Sequence, residues 1–304
     1  MKKFLLLIVL SLSSSVFATD INIFWWNIGF NDYANQANDS QTDLDITLKT
    51  KDFSKYDVIA LGEYKENTLE KSSLDNIKKA FPHQRIVRYN TAYNKAISSY
   101  SKYAFELKEG SVDWVNPYWS DKEKARYKKD APFFYGSTNT FKRKYIRIRF
   151  YKENKEINLI PYHINNPWSG MKEKFGKYLT ASEIIWGQDN PLINQVKQMH
   201  MKIKMDLGAN YRDKNIIMLG DSNCPDKVKG LSTACFNRLA DILPTRTDSE
   251  GYITYPARHS TMEGKSPKVK IDHVQASDSF YNTQTKIRGL KGSDHYPLSF
   301  KGSL

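Results

Sequence analysis

Short apolar runs recur along the chain, and their pattern predicts strands alternating with helices. In residues 20–28, the side chains of Ile21, Ile23 and Trp25 share one face of a predicted strand, and Trp26 lies on the other face. Further strands are predicted at residues 56–61, 85–89, 102–107, 215–219, 269–276 and 297–300. Most of these runs are too short for helices and are followed by small or polar residues.

A β-hairpin is predicted in the middle of the chain. Residues 144–151 alternate between apolar and basic or aromatic side chains, a polar turn occupies residues 152–156, and residues 157–163 form the return strand. The alternation places Tyr145, Arg147, Arg149 and Tyr151 on one face of the first strand. We interpret this face as a basic surface that favours nucleic acid.

Helical periodicity predicts two helices. The first covers residues 68–81 and ends before Pro82, and the second begins at Asn190-Pro191, where Asn is a good N-cap and Pro suits the first turn. The apolar stripe of the second helix consists of Leu192, Val196, Met199, Ile203 and Leu207. Strands joined by both hairpins and helices favour a mixed sheet covered by helices, or two such sheets packed face to face.

The N-terminal segment has the pattern of a secretory signal peptide. Lys2 and Lys3 precede an apolar run over residues 4–12, and Val16-Phe17-Ala18 supplies the small residues of a cleavage site. The apolar run is too short for a membrane anchor. We therefore expect residues 1–18 to be removed and residues 19–304 to form one domain. The expected product is a secreted or periplasmic monomer without stable membrane insertion.

The chain is basic, with 46 Lys and Arg against 33 Asp and Glu and a formal charge of +13. Removal of Lys2 and Lys3 with the signal peptide lowers that charge to +11. Such a surface favours polyanionic partners, which include nucleic acid, anionic lipid and phosphorylated metabolites. Charge alone does not choose among these three classes.

The two cysteines, Cys224 and Cys235, predict a disulfide bond. They lie eleven residues apart, and export would place them in an oxidising compartment. Two thiols without the usual paired spacing make a poor zinc site. A bridge here would stiffen the segment that follows Asn223.

Polar residues follow several of the predicted strands and supply candidate chemistry. The motifs are Gly62-Glu63, Gly220-Asp221-Ser222-Asn223, Ile271-Asp272-His273-Val274 and Ser293-Asp294-His295, with His163 at the end of the hairpin. Strand ends in an α/β scaffold commonly converge on one site. Carboxylate and amide oxygens are ligands for Mg²⁺ or Ca²⁺, and a histidine held by a carboxylate can accept a proton near neutral pH. The motifs therefore suggest a metal-dependent phosphoester site.

In this order the motifs resemble those of the endonuclease/exonuclease/phosphatase superfamily, and the resemblance covers nearly the whole mature chain. Trp26-Asn27 is similar to its opening Trp-Asn, Gly62-Glu63 to its Gln-Glu, and Tyr162-His163 to its Thr-His or Leu-His. The later motifs are similar to Gly-Asp-Phe-Asn, Ile-Asp-His-Ile and the closing Ser-Asp-His. The resemblance implies a four-layered α/β sandwich with two packed mixed β-sheets flanked by helices.

The resemblance also implies a role for each matched residue. Glu63, Asn27 and Asp294 would hold Mg²⁺, with Mn²⁺ or Ca²⁺ as alternatives, while Asp221 and Asn223 would bind the phosphate and position water. His295, oriented by Asp272, would be the general base, and His163 would protonate the leaving group or stabilise the phosphorane. Members of the superfamily differ over whether a histidine or the aspartate activates water, and that alternative stays open. Lys65 and Asn166 are the candidate substrate-binding residues.

The sequence leaves the substrate open and departs from the superfamily pattern in three places. The implied activity is a nuclease acting on DNA or RNA, with a phosphoinositide phosphatase or a sphingomyelinase-like esterase as the alternative. A binding protein with an inactive site is disfavoured because the motif residues are intact. Gly62 and Ser222 replace the Gln and Phe of the superfamily pattern, and no carboxylate that would orient His163 is identified in the sequence.

Overall fold

The structure is a computed structural model. It describes residues 18–29, 41–65, 69, 71–90, 95–112, 117–130, 143–164, 191–228, 231–246, 270–287, 290, 292, 293 and 295–304. The strands are β1 Asp20–Asn27, β2 Val58–Tyr64, β3 His83–Asn90, β4 Lys95–Ser101, β5 Phe105–Val112, β6 Arg143–Lys152, β7 Lys155–His163, β8 Ile216–Asp221, β9 Lys227–Val228, β10 Leu231–Ser232, β11 Asp272–Ala276, β12 Tyr281–Ile287 and β13 Leu298–Ser303. The helices are α1 Gln41–Thr50, α2 Asp75–Ala80, α3 Asp121–Asp130, α4 Pro191–Leu207 and α5 Ala234–Ala240, with 3₁₀ turns at Lys71–Leu74 and Tyr211–Asp213.

Two mixed sheets pack face to face. One has the strand order β12-β13-β1-β2-β4-β3, the other has the order β11-β8-β7-β6-β5, and β9 pairs separately with β10. The pairs β1–β2 and β7–β8 are parallel, and the other pairs in these two sheets are antiparallel. Ile21, Ile23 and Trp25 of the first sheet share a buried cluster with Leu159 and Ile217 of the second.

Helices cover the outer faces of both sheets and complete the four layers. On the first sheet, Trp26 packs in a cluster with Leu44 of α1 and Ile77 of α2. On the second sheet, the predicted stripe of α4 is buried with Tyr162 and Ile160 of β7. The predicted α/β sandwich is therefore confirmed, and so are the two faces of β1.

The β6–β7 hairpin forms as predicted, but its basic face is not an open surface. The Arg147 side chain is buried beneath α4 and makes a two-pronged ion pair with Asp206, at 2.6 Å from Nε and 3.2 Å from Nη2. Tyr145 also donates its hydroxyl to Asp206, at 2.8 Å, and Arg149 pairs with Glu106 and Glu156. The interpretation of this face as an open nucleic-acid surface was wrong, because α4 covers Arg147 and acidic side chains pair with both Arg147 and Arg149.

Two predicted elements have different bounds in the structure. The predicted helix over 68–81 is a 3₁₀ turn followed by the short α2, and residues 66–68 and 70 lie outside the described part. Ser73 donates its hydroxyl to Asp45 of α1, which anchors the 3₁₀ turn. The predicted strand over 102–107 begins only at Phe105. Residues 102–104 instead carry the chain from the first sheet to the second, and the Tyr103 N–H donates to the Ser101 hydroxyl at 3.0 Å.

The export prediction stays a prediction. Residues 1–17 of the expected signal peptide lie outside the described residues, and Ala18 is exposed at the start of the described chain. In the part of the chain that the structure describes, no helix has the length and apolar character needed to cross a bilayer.

Candidate active site

The ends of four strands and the start of a fifth bring the motif residues together at one end of the sandwich. In the first sheet, the parallel register places Asn27 beside Gly62. In the second sheet, the register places His163 beside Asp221, and Asp221 beside Asp272 of the antiparallel β11. Because the two sheets are packed together, side chains from both can meet there.

His295 and Asp272 form a buried pair. His295 Nδ1 lies 2.8 Å from Asp272 Oδ2, and both residues are buried. The Asp272 carboxylate can only accept, so Nδ1 carries the proton in this contact. Nε2 of the same ring then presents its lone pair, 3.4 Å from Asn27 Nδ2 and 3.7 Å from Asp221 Oδ2. This tautomer suits a histidine that accepts a proton at Nε2.

The backbone around His295 is also fixed by hydrogen bonds. Trp26 Nε1 donates to the His295 carbonyl at 2.9 Å, and the His295 N–H donates to Ser293 Oγ at 3.1 Å. The Ser293 hydroxyl in turn donates to the carbonyl of Asn27 at 2.6 Å. The closing motif is thereby tied to the end of β1.

Asp221 lies between the two histidines as a buried acceptor. Its Oδ2 accepts from Asn27 Nδ2 at 2.9 Å, and its Oδ1 accepts from the Asn223 N–H at 2.8 Å. Burial alone would raise the pKa of Asp221, but the adjacent His295 and His163 and the Asn223 N–H hold it below its ordinary value. Asn223 adopts a left-handed backbone with φ of 50° and donates its amide to the Ile164 carbonyl at 2.8 Å.

Glu63 lies beside His163 at the end of β2. Glu63 Oε1 is 3.2 Å from His163 Nε2, which is also 3.3 Å from Asp221 Oδ2. Lys95 at the start of β4 pairs with the other oxygen of Glu63. Burial opposes ionisation of Glu63, yet His163 and Lys95 hold its pKa well below the ordinary value. A side chain at Gly29 would overlap the Glu63 carboxylate, so glycine is needed for this approach.

His163 contacts an aromatic ring in addition to the two carboxylates at its Nε2. In the part of the chain that the structure describes, His163 Nδ1 has no hydrogen-bond partner. The Tyr89 ring packs against the imidazole, with the two ring centroids 5.3 Å apart. The Arg143 guanidinium lies 4.8 Å from the centroid of the Tyr89 ring. Packing against Tyr89 and the two carboxylates at Nε2 therefore hold this imidazole.

Sequence reasoning did not identify Tyr89, Lys95 or Arg143 as residues near the site. Tyr89 fell within a predicted strand with no polar motif, and Lys95 lies in β4, whose serine-rich sequence was not predicted as a strand. Arg143 is buried and directly precedes the predicted hairpin strand. The basic run Lys142-Arg143-Lys144 before the alternating strand was the only available signal.

Asp294 and Asn166 lie outside the described residues, so their expected roles stay predictions. Lys65 is half-buried and directly follows β2, two positions after Glu63.

The oxygen donors at the site are of the chemical type that binds a hard divalent cation. Glu63 supplies a carboxylate kept ionised, and Asn27 supplies a carboxamide oxygen that already accepts the Gly29 N–H at 3.0 Å and has a second lone pair. Within the described ranges, no cluster of three or more His, Cys, Asp or Glu side chains has metal-binding geometry. Glu63 and Asn27 would therefore need the predicted Asp294, water or substrate oxygens to complete a coordination shell.

The disulfide is present and adjoins the site. Cys224 and Cys235 are bridged, with their Cα atoms 5.7 Å apart, and both are buried. The Cys224 carbonyl lies 2.8 Å from Nε2 of the buried His273, and Cys235 lies in α5. The bridge thus fixes the segment after Asn223 to α5, and the His273 contact fixes it to β11.

Replacing both cysteines with serine is expected to lower the free energy of unfolding by about 2–4 kcal/mol at most, because the closed loop is short. Chemical denaturation of the wild type and the double variant would measure the difference. Mass spectrometry of the unreduced protein after alkylation should show no modified cysteine, and alkylation of both would contradict the bridge.

The fold of this chain is similar to the folds of several solved structures. The fold is similar to SmcL, with 14% identity and a TM-score of 0.62 over 93% of this chain and 99% of that chain. An endonuclease/exonuclease/phosphatase family protein from Leptotrichia buccalis gives 15% identity and a TM-score of 0.58 over 93% and 100%. Sphingomyelinase C from Streptomyces griseocarneus gives 12% and 0.57 over 93% and 99%.

No protein-family model and no curated protein matches the chain. The likeness to solved structures confirms that the chain has the endonuclease/exonuclease/phosphatase fold implied by its motifs. Identities this low show the fold and leave the substrate to be argued from the site.

Proposed function

We propose that the protein is an exported, divalent-metal-dependent phosphodiesterase whose substrate is nucleic acid. DNA is the first candidate substrate and RNA the second. The observation that carries the phosphodiesterase assignment is the arrangement of His295. Its Nδ1 contacts Asp272 at 2.8 Å, while its Nε2 lies near Asn27 and Asp221. A general base needs a ring nitrogen that carries its lone pair, and the Asp272 contact at Nδ1 leaves that lone pair on Nε2.

His295 and the residues around it have distinct roles in proton transfer and in orienting the phosphate. His295 Nε2 takes a proton from the attacking water, and the Asp272 carboxylate stabilises the resulting imidazolium. Asn27, Asn223 and His163 orient the phosphate, and His163 donates a proton to the leaving oxygen. The buried Asp221 fixes the side-chain amide of Asn27 with one oxygen and the main-chain N–H of Asn223 with the other. The alternative in which Asp221 activates the water remains a variant of this proposal.

Glu63, Asn27 and Asp294 are the proposed ligands of Mg²⁺, for which Mn²⁺ or Ca²⁺ could substitute. A bound divalent cation would polarise a phosphoryl oxygen and stabilise charge on the leaving oxygen.

Charge supports a polyanionic substrate, a class to which nucleic acid belongs. The formal charge of +11 that remains after removal of Lys2 and Lys3 (13 − 2) favours a polyanion, and Lys65, Lys95 and Arg143 lie near the proposed catalytic residues. The charge argument rests on these residues and on net charge, since the basic face of β6 is neutralised by its partners.

A phospholipid esterase is the second candidate, because the fold is also that of a sphingomyelinase C. Purified mature protein should be assayed on plasmid DNA, RNA, sphingomyelin and phosphoinositides, each with Mg²⁺ or with EDTA. Cleavage of DNA or RNA supports the nuclease. Hydrolysis of a lipid with both nucleic acids left intact would replace the nuclease with the second candidate.

Lys65→Ala is expected to weaken nucleic-acid binding and to reduce the slope of log affinity against log salt by about one unit, because one phosphate contact is lost. Binding titrations over a salt series would measure the slope. Lys301→Ala is the matched control, because Lys301 pairs with Asp20 at the opposite end of β1. An equal change in both variants would argue against a specific role for Lys65.

A further inference from the structure

We propose that Trp25 is a positioning residue for the hydrolytic reaction and that Gly62 is the small residue that makes room for it. Trp25 acts through Asp272: its indole N–H holds the carboxylate in the orientation in which that carboxylate holds His295. This inference rests on the proposed function, because it assigns a role within the same site.

The contact between Trp25 and Asp272 crosses from one sheet to the other. Trp25 Nε1 donates to Asp272 Oδ1 at 2.9 Å, and Asp272 Oδ2 accepts from His295 Nδ1 at 2.8 Å. Both Trp25 and Asp272 are fully buried. A carboxylate with a donor on each oxygen cannot rotate about its Cβ–Cγ bond without breaking a buried hydrogen bond, which is costly.

The strand period explains why Trp25 meets the catalytic pair. Side chains two positions apart lie on the same face of a strand, so Trp25 and Asn27 both point from β1 toward the second sheet. Asn27 donates to Asp221, and Trp25 donates to Asp272. Asp221 and Asp272 are register partners on β8 and β11. One strand of the first sheet thus fixes a pair of adjacent carboxylates in the second.

Gly62 is explained by the same ring. A Cβ at position 62 would lie 2.6 Å from Cη2 and 2.7 Å from Cζ2 of Trp25, which is closer than carbon atoms approach. The glycines with a left-handed backbone are Gly208 and Gly292 in the described chain, so backbone geometry does not require glycine at 62. The indole ring therefore accounts for the replacement of the expected Gln at this position.

The decisive experiment is a double-mutant cycle in kcat on the substrate identified by the assay panel. Trp25→Phe keeps an aromatic ring and removes the N–H. It is expected to lower kcat about tenfold to a hundredfold, with KM within about twofold, because a hydrogen bond to a charged group is lost. In an Asp272→Ala background, the same change should have almost no further effect on kcat.

Trp26→Phe is the matched control for the cycle. It also removes an indole N–H, but the hydrogen bond that it breaks goes to the main-chain carbonyl of His295 and not to Asp272. Its effect on kcat should be the same in the presence and absence of Asp272. Suppose that the wild type is active and that the fold-losses in kcat of Trp25→Phe and Asp272→Ala multiply in the double variant. Trp25 is then only a packing residue. An inactive wild type on all four substrates would overturn both this inference and the proposed function.

Gly62→Ala tests the steric part independently. In the wild-type background the added Cβ should displace the Trp25 ring and lower kcat. In the Trp25→Phe background the penalty should shrink, because phenylalanine lacks the Cη2 and Cζ2 atoms that the Cβ would overlap. An equal penalty in both backgrounds would show that Gly62 serves a purpose unrelated to Trp25.

Discussion

His295→Ala is expected to lower kcat by about 10²–10⁴-fold on every substrate that the wild type hydrolyses, because it removes the proposed general base. Its imidazole lies between Asp272 and the Asn27–Asp221 pair, and alanine retains neither contact. Removing the imidazole leaves the buried Asp272 carboxylate without one hydrogen-bond donor, so some loss of stability should accompany the loss of turnover. Steady-state kinetics and thermal unfolding of the same samples would separate the two effects.

His83→Ala is the control for His295→Ala. His83 begins β3 at the edge of the first sheet and has no part in the proposed chemistry. It should retain the kinetics of the wild type. A His295→Ala variant that is folded and still turns over at the wild-type rate would contradict the general-base assignment and would favour Asp221 as the group that activates water.

The convergence of the candidate site residues could be predicted because most of them lie at the ends of apolar strands. Asn27, Glu63, Asp221 and Asp272 lie at strand ends or starts, and the parallel and antiparallel registers bring them together. The order of the motifs was enough to identify the fold. Geometry then added the tautomer of His295, which sequence alone could not supply.

The residues that support this motif could not be predicted from local pattern. Trp25 had the pattern of an ordinary core residue, and its contact with Asp272 joins positions 247 apart in the chain. The basic alternation in β6 was a real pattern with the wrong interpretation, because Asp206 comes from a helix 59 residues later and neutralises Arg147. In both cases the decisive partner belongs to an element distant in sequence.

The predicted bounds of strands were wrong where the composition was polar or where the chain passed from one sheet to the other. β4 and β12 are rich in Ser, Thr, Asn or Gln, and they are stabilised by pairing with more apolar neighbours. The run over 102–107 has the sequence pattern of one strand. Its aromatic residues Tyr103 and Phe105 both pack against the central cluster, although only Phe105 belongs to a strand. A crossover between sheets leaves no signal in hydrophobic periodicity.

Chelation of divalent cations is expected to abolish hydrolysis, and Glu63→Gln is expected to weaken cation binding by at least about tenfold, because a neutral amide replaces the ionised carboxylate. The low pKa of Glu63 keeps this carboxylate charged, and its left-handed backbone with φ of 50° directs it toward His163. Mn²⁺ binding measured by electron paramagnetic resonance reports cation affinity without any need for turnover. Hydrolysis should return on addition of Mg²⁺ to the chelated wild type.

Asp57→Asn is the control for the cation measurement, because Asp57 is also a buried carboxylate but precedes the opposite end of β2. It pairs with Lys152 at 2.9 Å, so its loss should lower stability and leave Mn²⁺ affinity unchanged. If Glu63→Gln and Asp57→Asn bind Mn²⁺ as tightly as the wild type, Glu63 is not a ligand. Full activity after exhaustive chelation would exclude the metal-dependent mechanism, and the ion pair of Glu63 with Lys95 would then be the resident arrangement of the working enzyme.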